Sequence, residues 1–117
     1  MSLEGFLVVS AILFSIGLYG ALAKRNAITV LMSLELMFNA VNLTTVALSR
    51  YVVPFRLMEA GPGGGTDAAV SLLTGQVFAV FIIAVAAAEV ALGLAIVIAI
   101  YRNRGSILVT EATQMRN

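Results

Sequence analysis

Three long apolar runs, 5–23, 27–49 and 77–101, alternate with short polar punctuation along the chain. Each is near the roughly 20 residues that cross a hydrocarbon core about 30 Å thick. A backbone inside lipid must satisfy its own hydrogen bonds, so each run predicts a helix. The expected fold is all-α, a single membrane domain over residues 1–117. It has three transmembrane helices at about 5–23, 27–49 and 77–101, an outer linker at 50–76 and a tail at 102–117.

The first run is followed by Ala21-Leu22-Ala23, which looks like a cleavage site. A secretory signal carries positive charge before its apolar stretch. Here Glu4 precedes the run and Lys24-Arg25 follow it, so a retained helix is expected. Lys and Arg in short loops set orientation. Lys24-Arg25-Asn26 and Arg102-Asn103-Arg104 fall on one side of a three-span chain, against Arg50 and Arg56 on the other. The N-terminus is therefore expected outside and the C-terminus in the cytoplasm. In the outer linker, Tyr51, Pro54, Phe55 and Arg56 suit the headgroup region. The Gly- and Pro-rich stretch 59–67 reads as flexible, and residues 68–74 either extend helix three outward or lie on the membrane surface. It lacks the Gly-Lys-Ser/Thr ending of a phosphate loop.

Composition agrees with a membrane setting. Hydrophobic residues make up 61% and charged residues 11%, where a soluble domain carries roughly 25% charged residues. The net charge of +1 gives no argument for nucleic acid. Cysteine and histidine are both missing from the sequence, which removes disulfides, thiolate metal sites and the usual neutral-pH acid–base group. Proton chemistry must then rest on carboxylates, Lys, Tyr or water.

Two carboxylates lie inside the apolar runs. Glu35 is about 13 Å along helix two from Asn26, and Glu89 about 18 Å from Tyr101, at 1.5 Å per residue. Their heights so counted differ by about 5 Å. A charged residue at such depth costs about 2.5 kcal/mol or more, and an ionisable group there is by default a functional site facing protein or water. Desolvation disfavours the charged form of any carboxylate, which suits such a group to taking up and giving off a proton. Two on adjacent helices would exchange protons as a coupled pair.

Asn39, Asn42 and Ser49 fall within about 40° of the Glu35 direction on a helical wheel, a polar stripe running outward. Asparagines in such a stripe order water or glue helices together. Around Glu89, Ala86 and Gly93 leave space beside the carboxylate, and Ala84, Ala88, Ala91, Ala95 and Ala99 form a small-residue stripe on the opposite face that reads as helix packing. Ser10, Gly17 and Ala21 give helix one a similar close-packing face. Lys24 and Arg25 at the inner end are either electrostatic partners of Glu35 or an orientation signal.

Taken together, Lys24-Arg25-Asn26, the run from Leu31 to Leu43 (LMSLELMFNAVNL), Gly75-Gln76-Val77-Phe78, the run from Ala86 to Ile96 (AAAEVALGLAI) and Tyr101-Arg102-Asn103-Arg104 resemble a known family. It is subunit K of bacterial NADH-quinone oxidoreductase, respiratory complex I, with its mitochondrial and photosynthetic counterparts. The resemblance covers nearly the whole chain and departs in the longer, Gly-rich outer connection at 52–73. It implies a non-redox subunit of a proton-pumping translocase, not an enzyme alone. The complex would take electrons from NADH or ferredoxin and reduce quinone, with FMN and iron–sulfur clusters in other subunits and no cofactor or metal bound here. Partners would be the antiporter-like and quinone-end membrane subunits. The membrane would be a bacterial inner or plasma membrane, or alternatively a thylakoid or mitochondrial inner membrane. Glu35 and Glu89 would be proton-relay stations, with Lys24, Arg25, Asn39 and Asn42 in support. Rival readings are the C-type subunit of a multisubunit sodium/proton antiporter, a ring subunit of a rotary ATP synthase and a purely structural membrane assembly subunit. The ring subunit normally needs a two-helix hairpin with one carboxylate.

Overall fold

The computed structural model describes residues 2–63 and 65–110. Three helices, α1 (Leu3–Ala23), α2 (Ala27–Ala60) and α3 (Gly65–Arg104), account for nearly all of them, and each contains a span long and apolar enough to cross a membrane. Local chemistry sets their ends. The Ser2 hydroxyl accepts from the Gly5 N–H (3.4 Å), and Glu4 sits in the first turn of α1, where the helix dipole favours a negative charge. Lys24 leaves the helix in extended conformation, and the Asn26 side chain accepts from the Ile28 N–H (2.9 Å) to start α2. The connection between α1 and α2 is therefore the three residues Lys24-Arg25-Asn26.

The outer linker is much shorter than the sequence pattern predicts. α2 continues through Ala60, ten residues past the expected exit at Arg50, and α3 starts at Gly65 instead of Val77, so that residues 68–74 extend helix three, one of the two readings open for them. Hydropathy marks the length of helix that meets lipid, whereas a helix ends only where its backbone is interrupted. Residues 55–60 (FRLMEA) include Leu, Met, Arg, Glu and Ala, all good helix formers. Pro54 withholds one N–H and frees the carbonyl of Arg50 one turn earlier, yet the helix runs on through it. The interruption comes at Gly61, whose φ of 71° is open to glycine and strained for other residues, followed by the short 3₁₀ turn Gly61–Gly63. Tyr51 packs its ring 6.1 Å from Phe6, joining the C-terminal half of α2 to the N-terminal end of α1. Of the predicted tail, residues 111–117, with Glu111 and Arg116, lie outside the described residues.

α2 is the central helix. It packs along α1 on one side and along α3 on the other, while α1 and α3 make almost no contact, so the three stand in a row. Both seams are lined by small residues spaced by seven. Ser10 and Gly17 of α1 face Ser33 and Ala40 of α2, with Ala47 one heptad further, and Ala79, Ala86 and Gly93 line α3. A seven-residue repeat keeps one seam in register along a left-handed crossing, and small side chains let the backbones approach. The Ser10 hydroxyl donates to the Ala40 carbonyl (2.7 Å) and also meets Thr44.

The packing face expected on helix one is therefore present, but that on helix three is misplaced. Ala84, Ala88, Ala91, Ala95 and Ala99 are all exposed on this chain, and among the described residues of α3 the buried small ones are Ala79 and Ala86. The space beside Gly93 is taken by Leu31.

A side chain at position 17 has no room. A Cβ there would lie 2.8 Å from the Ser33 carbonyl oxygen and 2.7 Å from Met37. We expect Gly17→Val to destabilise the helix pair by about 1–3 kcal/mol through overpacking. Ser10→Ala should cost only about 0.6 kcal/mol, the average for an interhelical hydrogen bond in a membrane. Thermal denaturation of the purified chain in detergent checks the order. Equal midpoints for the two variants would contradict this packing.

Candidate functional site

The register of α2 against α3 fixes the relative height of the two carboxylates. A Cβ at Gly93 would press on the Leu31 side chain (2.6 Å), and one at Gly75 would press on Ser49 (2.5 Å to its Cβ). The helices are antiparallel, and both contacts join positions whose numbers sum to 124. Position 35 by the same rule stands level with position 89. The 5 Å offset counted from Asn26 and Tyr101 disappears, because the same rule sets Asn26 level with position 98 and leaves Tyr101 three residues, about 4.5 Å, beyond it.

Height is shared but the flank is not. On α2, the α3-facing residues Leu31, Asn42 and Ser49 lie about 20–40° to one rotational side of Glu35. On α3, the α2-facing residues Gly75, Ala79, Ala86 and Gly93 lie about 40–80° to the other rotational side of Glu89. In an antiparallel pair, residues displaced from the seam in opposite rotational senses emerge on opposite flanks. Glu35 thus leaves one flank of the α2–α3 seam and Glu89 leaves the other. The exposure pattern agrees. Glu35 shares an exposed strip with Ile28, Met32 and Asn39, and Glu89 shares one with Phe78, Val85, Leu92 and Ile96. Neither carboxylate accepts a hydrogen bond or an ion pair from a described residue of this chain. They share a level across the seam on opposite flanks.

The predicted polar stripe divides along the same boundary. Asn39, one turn from Glu35, stays with it on the exposed flank. Asn42 and Ser49 turn into the seam and are buried, Asn42 with 9% of its surface exposed. The Asn42 Oδ1 has no hydrogen-bond donor among the described residues. A buried acceptor left open costs about 1–3 kcal/mol, so this is a position that favours water or a protonated group.

The family described as NADH-ubiquinone/plastoquinone oxidoreductase chain 4L matches residues 5–117. The chain belongs to the chain 4L family. Among similar proteins, the NAD(P)H-quinone oxidoreductase subunit 4L of Synechococcus sp. (strain JA-3-3Ab) is 54% identical, over 92% of this chain and 89% of its own. The NADH-quinone oxidoreductase subunit K of Brevibacillus brevis (strain 47) is 48% identical, over 99% and 97% respectively. NADH-quinone oxidoreductase subunit K 1 of Geobacter sulfurreducens is 47% identical, over 99% and 98%. As a chain 4L protein it is one membrane subunit of a larger oxidoreductase, with other subunits of that complex as partners. The match favours this reading over the antiporter alternative.

Within this chain 4L fold, Lys24 and Arg25 stay at the end of α2, exposed in the short turn. Arg25 lies ten residues from Glu35, about 15 Å along the helix, and no described ion pair links them. The Arg25 carbonyl instead accepts from the Val109 N–H (2.9 Å), and the Ala27 N–H donates to the Ile107 carbonyl (3.1 Å). A strap after α3 is thereby tied across the α1–α2 turn. Sequence reasoning missed this strap, because one isolated bridge between Asn26 and Leu108 leaves no periodic signal. It also missed the capping role of Asn26 and the seam role of Ser33. For the seam the signal was available in the seven-residue spacing of Ser33, Ala40 and Ala47. Among the described residues, no cluster of acidic side chains is arranged to hold a metal.

Proposed function

We propose that the chain is a core membrane subunit of a proton-pumping NADH- or ferredoxin-dependent quinone oxidoreductase. Glu35 and Glu89 are two stations on the lateral path that couples quinone reduction to proton movement. The observation that carries this reading is their placement at one height on opposite flanks of a single seam. A row of three helices with one carboxylate per flank has the form of a lateral bridge. Protons arrive near one flank and leave near the other. Carboxylates facing lipid tails are costly, so each flank is covered in the complex by another membrane subunit. The quinone-end subunit lies toward one and an antiporter-like subunit toward the other. Asn39 extends the polar surface beside Glu35. Asn42, with its open buried acceptor, supplies a polar point within the seam. Lys24 and Arg25 lie at the inner end of this path and orient the chain, with the N-terminus outside and the C-terminus in the cytoplasm of a bacterium. FMN, iron–sulfur clusters and quinone belong to other subunits, and this chain contributes protonatable side chains.

The absence of cysteine from the sequence makes a direct test practical. Single cysteines at Met32 on the Glu35 flank and Leu92 on the Glu89 flank, crosslinked in native membranes, are expected to capture two different subunits of a quinone oxidoreductase. Capture of the same subunit from both positions, or of none belonging to such a complex, would contradict the bridge.

A further inference from the structure

At its basic end the α2–α3 seam opens into an apolar cavity of about 250 Å³. Leu31 and Gly93 form its deep end, Val97 and Ile100 its wall, and Ile107 and Leu108 of the strap close it toward the helix ends. From the strap to the deep end it runs about 6–10 Å along the helices. A dry apolar cavity of about 150 Å³ already holds a ring the size of benzene, so this one has room for a hydrocarbon segment. The strap is held there by its two backbone bonds to Arg25 and Ala27, after Gly105 turns the chain with a φ of 71°.

Charge is arranged around the same end. Lys24 and Arg25 in the turn, and Arg102 and Arg104 at the end of α3, are four of the seven cations of the chain, and all four are exposed. Among the described residues no carboxylate lies within this layer. An occupant must therefore be apolar where it lies against Val97 and Ile100, and anionic where it emerges past the strap. A transmembrane helix does not meet that description, since the strap bounds the cavity at the level where a helix would have to continue.

We propose that this cavity holds the upper part of one acyl chain of an anionic phospholipid, with its phosphate among Lys24, Arg25 and Arg102. Basic clusters at the membrane surface attract anionic headgroups. The cavity adds a fixed slot for the chain, which distinguishes a site from a general attraction. A lipid seated there ties the strap, the α1–α2 turn and the end of α3 into one unit, one to two turns from the level of Glu35 and Glu89.

The test uses the intact complex in vesicles, with phospholipids carrying a photoreactive diazirine near the top of one acyl chain. Anionic phosphatidylglycerol and zwitterionic phosphatidylcholine probes are compared, and labelled peptides are mapped by mass spectrometry. The expected result is labelling between Ile96 and Leu108 of this chain, several-fold stronger with the anionic probe. Val97→Trp, which fills the slot, should abolish it. Lys24→Ala with Arg25→Ala and Arg102→Ala should leave labelling in place but remove the preference for the anionic probe. Should Val97→Trp fail to assemble, the cation variant and the wild-type comparison still decide. Equal labelling by both probes in the wild type, no label in this segment, or a crosslink showing another subunit seated in the cavity would overturn the proposal.

Discussion

Replacing Glu35 and Glu89 together by glutamine is expected to give an assembled complex whose quinone reduction and proton pumping are at least about tenfold slower, ~1.4 kcal/mol on the limiting barrier. Glutamine keeps the shape and hydrogen-bonding reach of glutamate but has no proton to give or take at neutral pH. It is also neutral, so membrane insertion becomes easier. A lone acidic residue at the middle of a span costs about 2.5–3.5 kcal/mol on the insertion scale. Loss of turnover in this variant therefore cannot be assigned to failed insertion. Each single replacement should produce part of the loss, since each removes the station on one flank. Quinone reductase rates and pH-gradient formation in vesicles, alongside native gels for assembly, check the prediction. Full coupled activity in the double variant would leave the chain a structural role only.

The second large effect concerns geometry instead of charge alone. Moving the carboxylate one turn along its own flank, Glu35→Gln with Asn39→Glu, is expected to restore much of the activity lost in Glu35→Gln. Asn39 is exposed on the same strip, and four residues displace the group by only about 6 Å along the axis. Moving it one residue along the sequence, Glu35→Gln with Leu34→Glu, should restore nothing. Leu34 is exposed too, but a 100° rotation carries it to the other side of the seam. The two variants carry the same net charge, and of the two the carboxylate at position 34 stands nearer the native height, about 1.5 Å away against about 6 Å. A difference in activity between them reports the flank. Equal rescue by both would show that a carboxylate anywhere at this level suffices, and the bridge geometry would then be irrelevant.

How far the sequence anticipated this arrangement depended on which physical property each signal reports. The three spans were legible because lipid imposes a minimum apolar length. The ends of α2 and α3 were not, since hydropathy is silent about helix that continues into water, and only Gly61 with its positive φ ends α2. Glu35 and Glu89 stood out as costly groups. Their shared height could not be read from helix ends that were themselves misplaced. The stripe from Glu35 to Ser49 was correctly placed on one side of α2, yet a 40° spread is wide enough to cross the edge of the seam, and Asn42 and Ser49 fell inside while Asn39 remained outside. The alanines 84, 88, 91, 95 and 99 misled for a related reason. In a subunit with large surfaces facing other subunits, small residues do not by themselves say which neighbour they serve. The seven-residue spacing of Ala79, Ala86 and Gly93 carried the answer, because it matches the repeat of Ser33, Ala40 and Ala47 on the central helix.

Whether both side chains change protonation during turnover can be observed directly by infrared difference spectroscopy of the intact complex as it reduces quinone. Two carboxyl C=O signals should appear or vanish with turnover, one lost in Glu35→Gln and the other in Glu89→Gln. A difference spectrum that both variants leave unchanged would mean that neither group exchanges a proton during the cycle, contrary to the role given to them here.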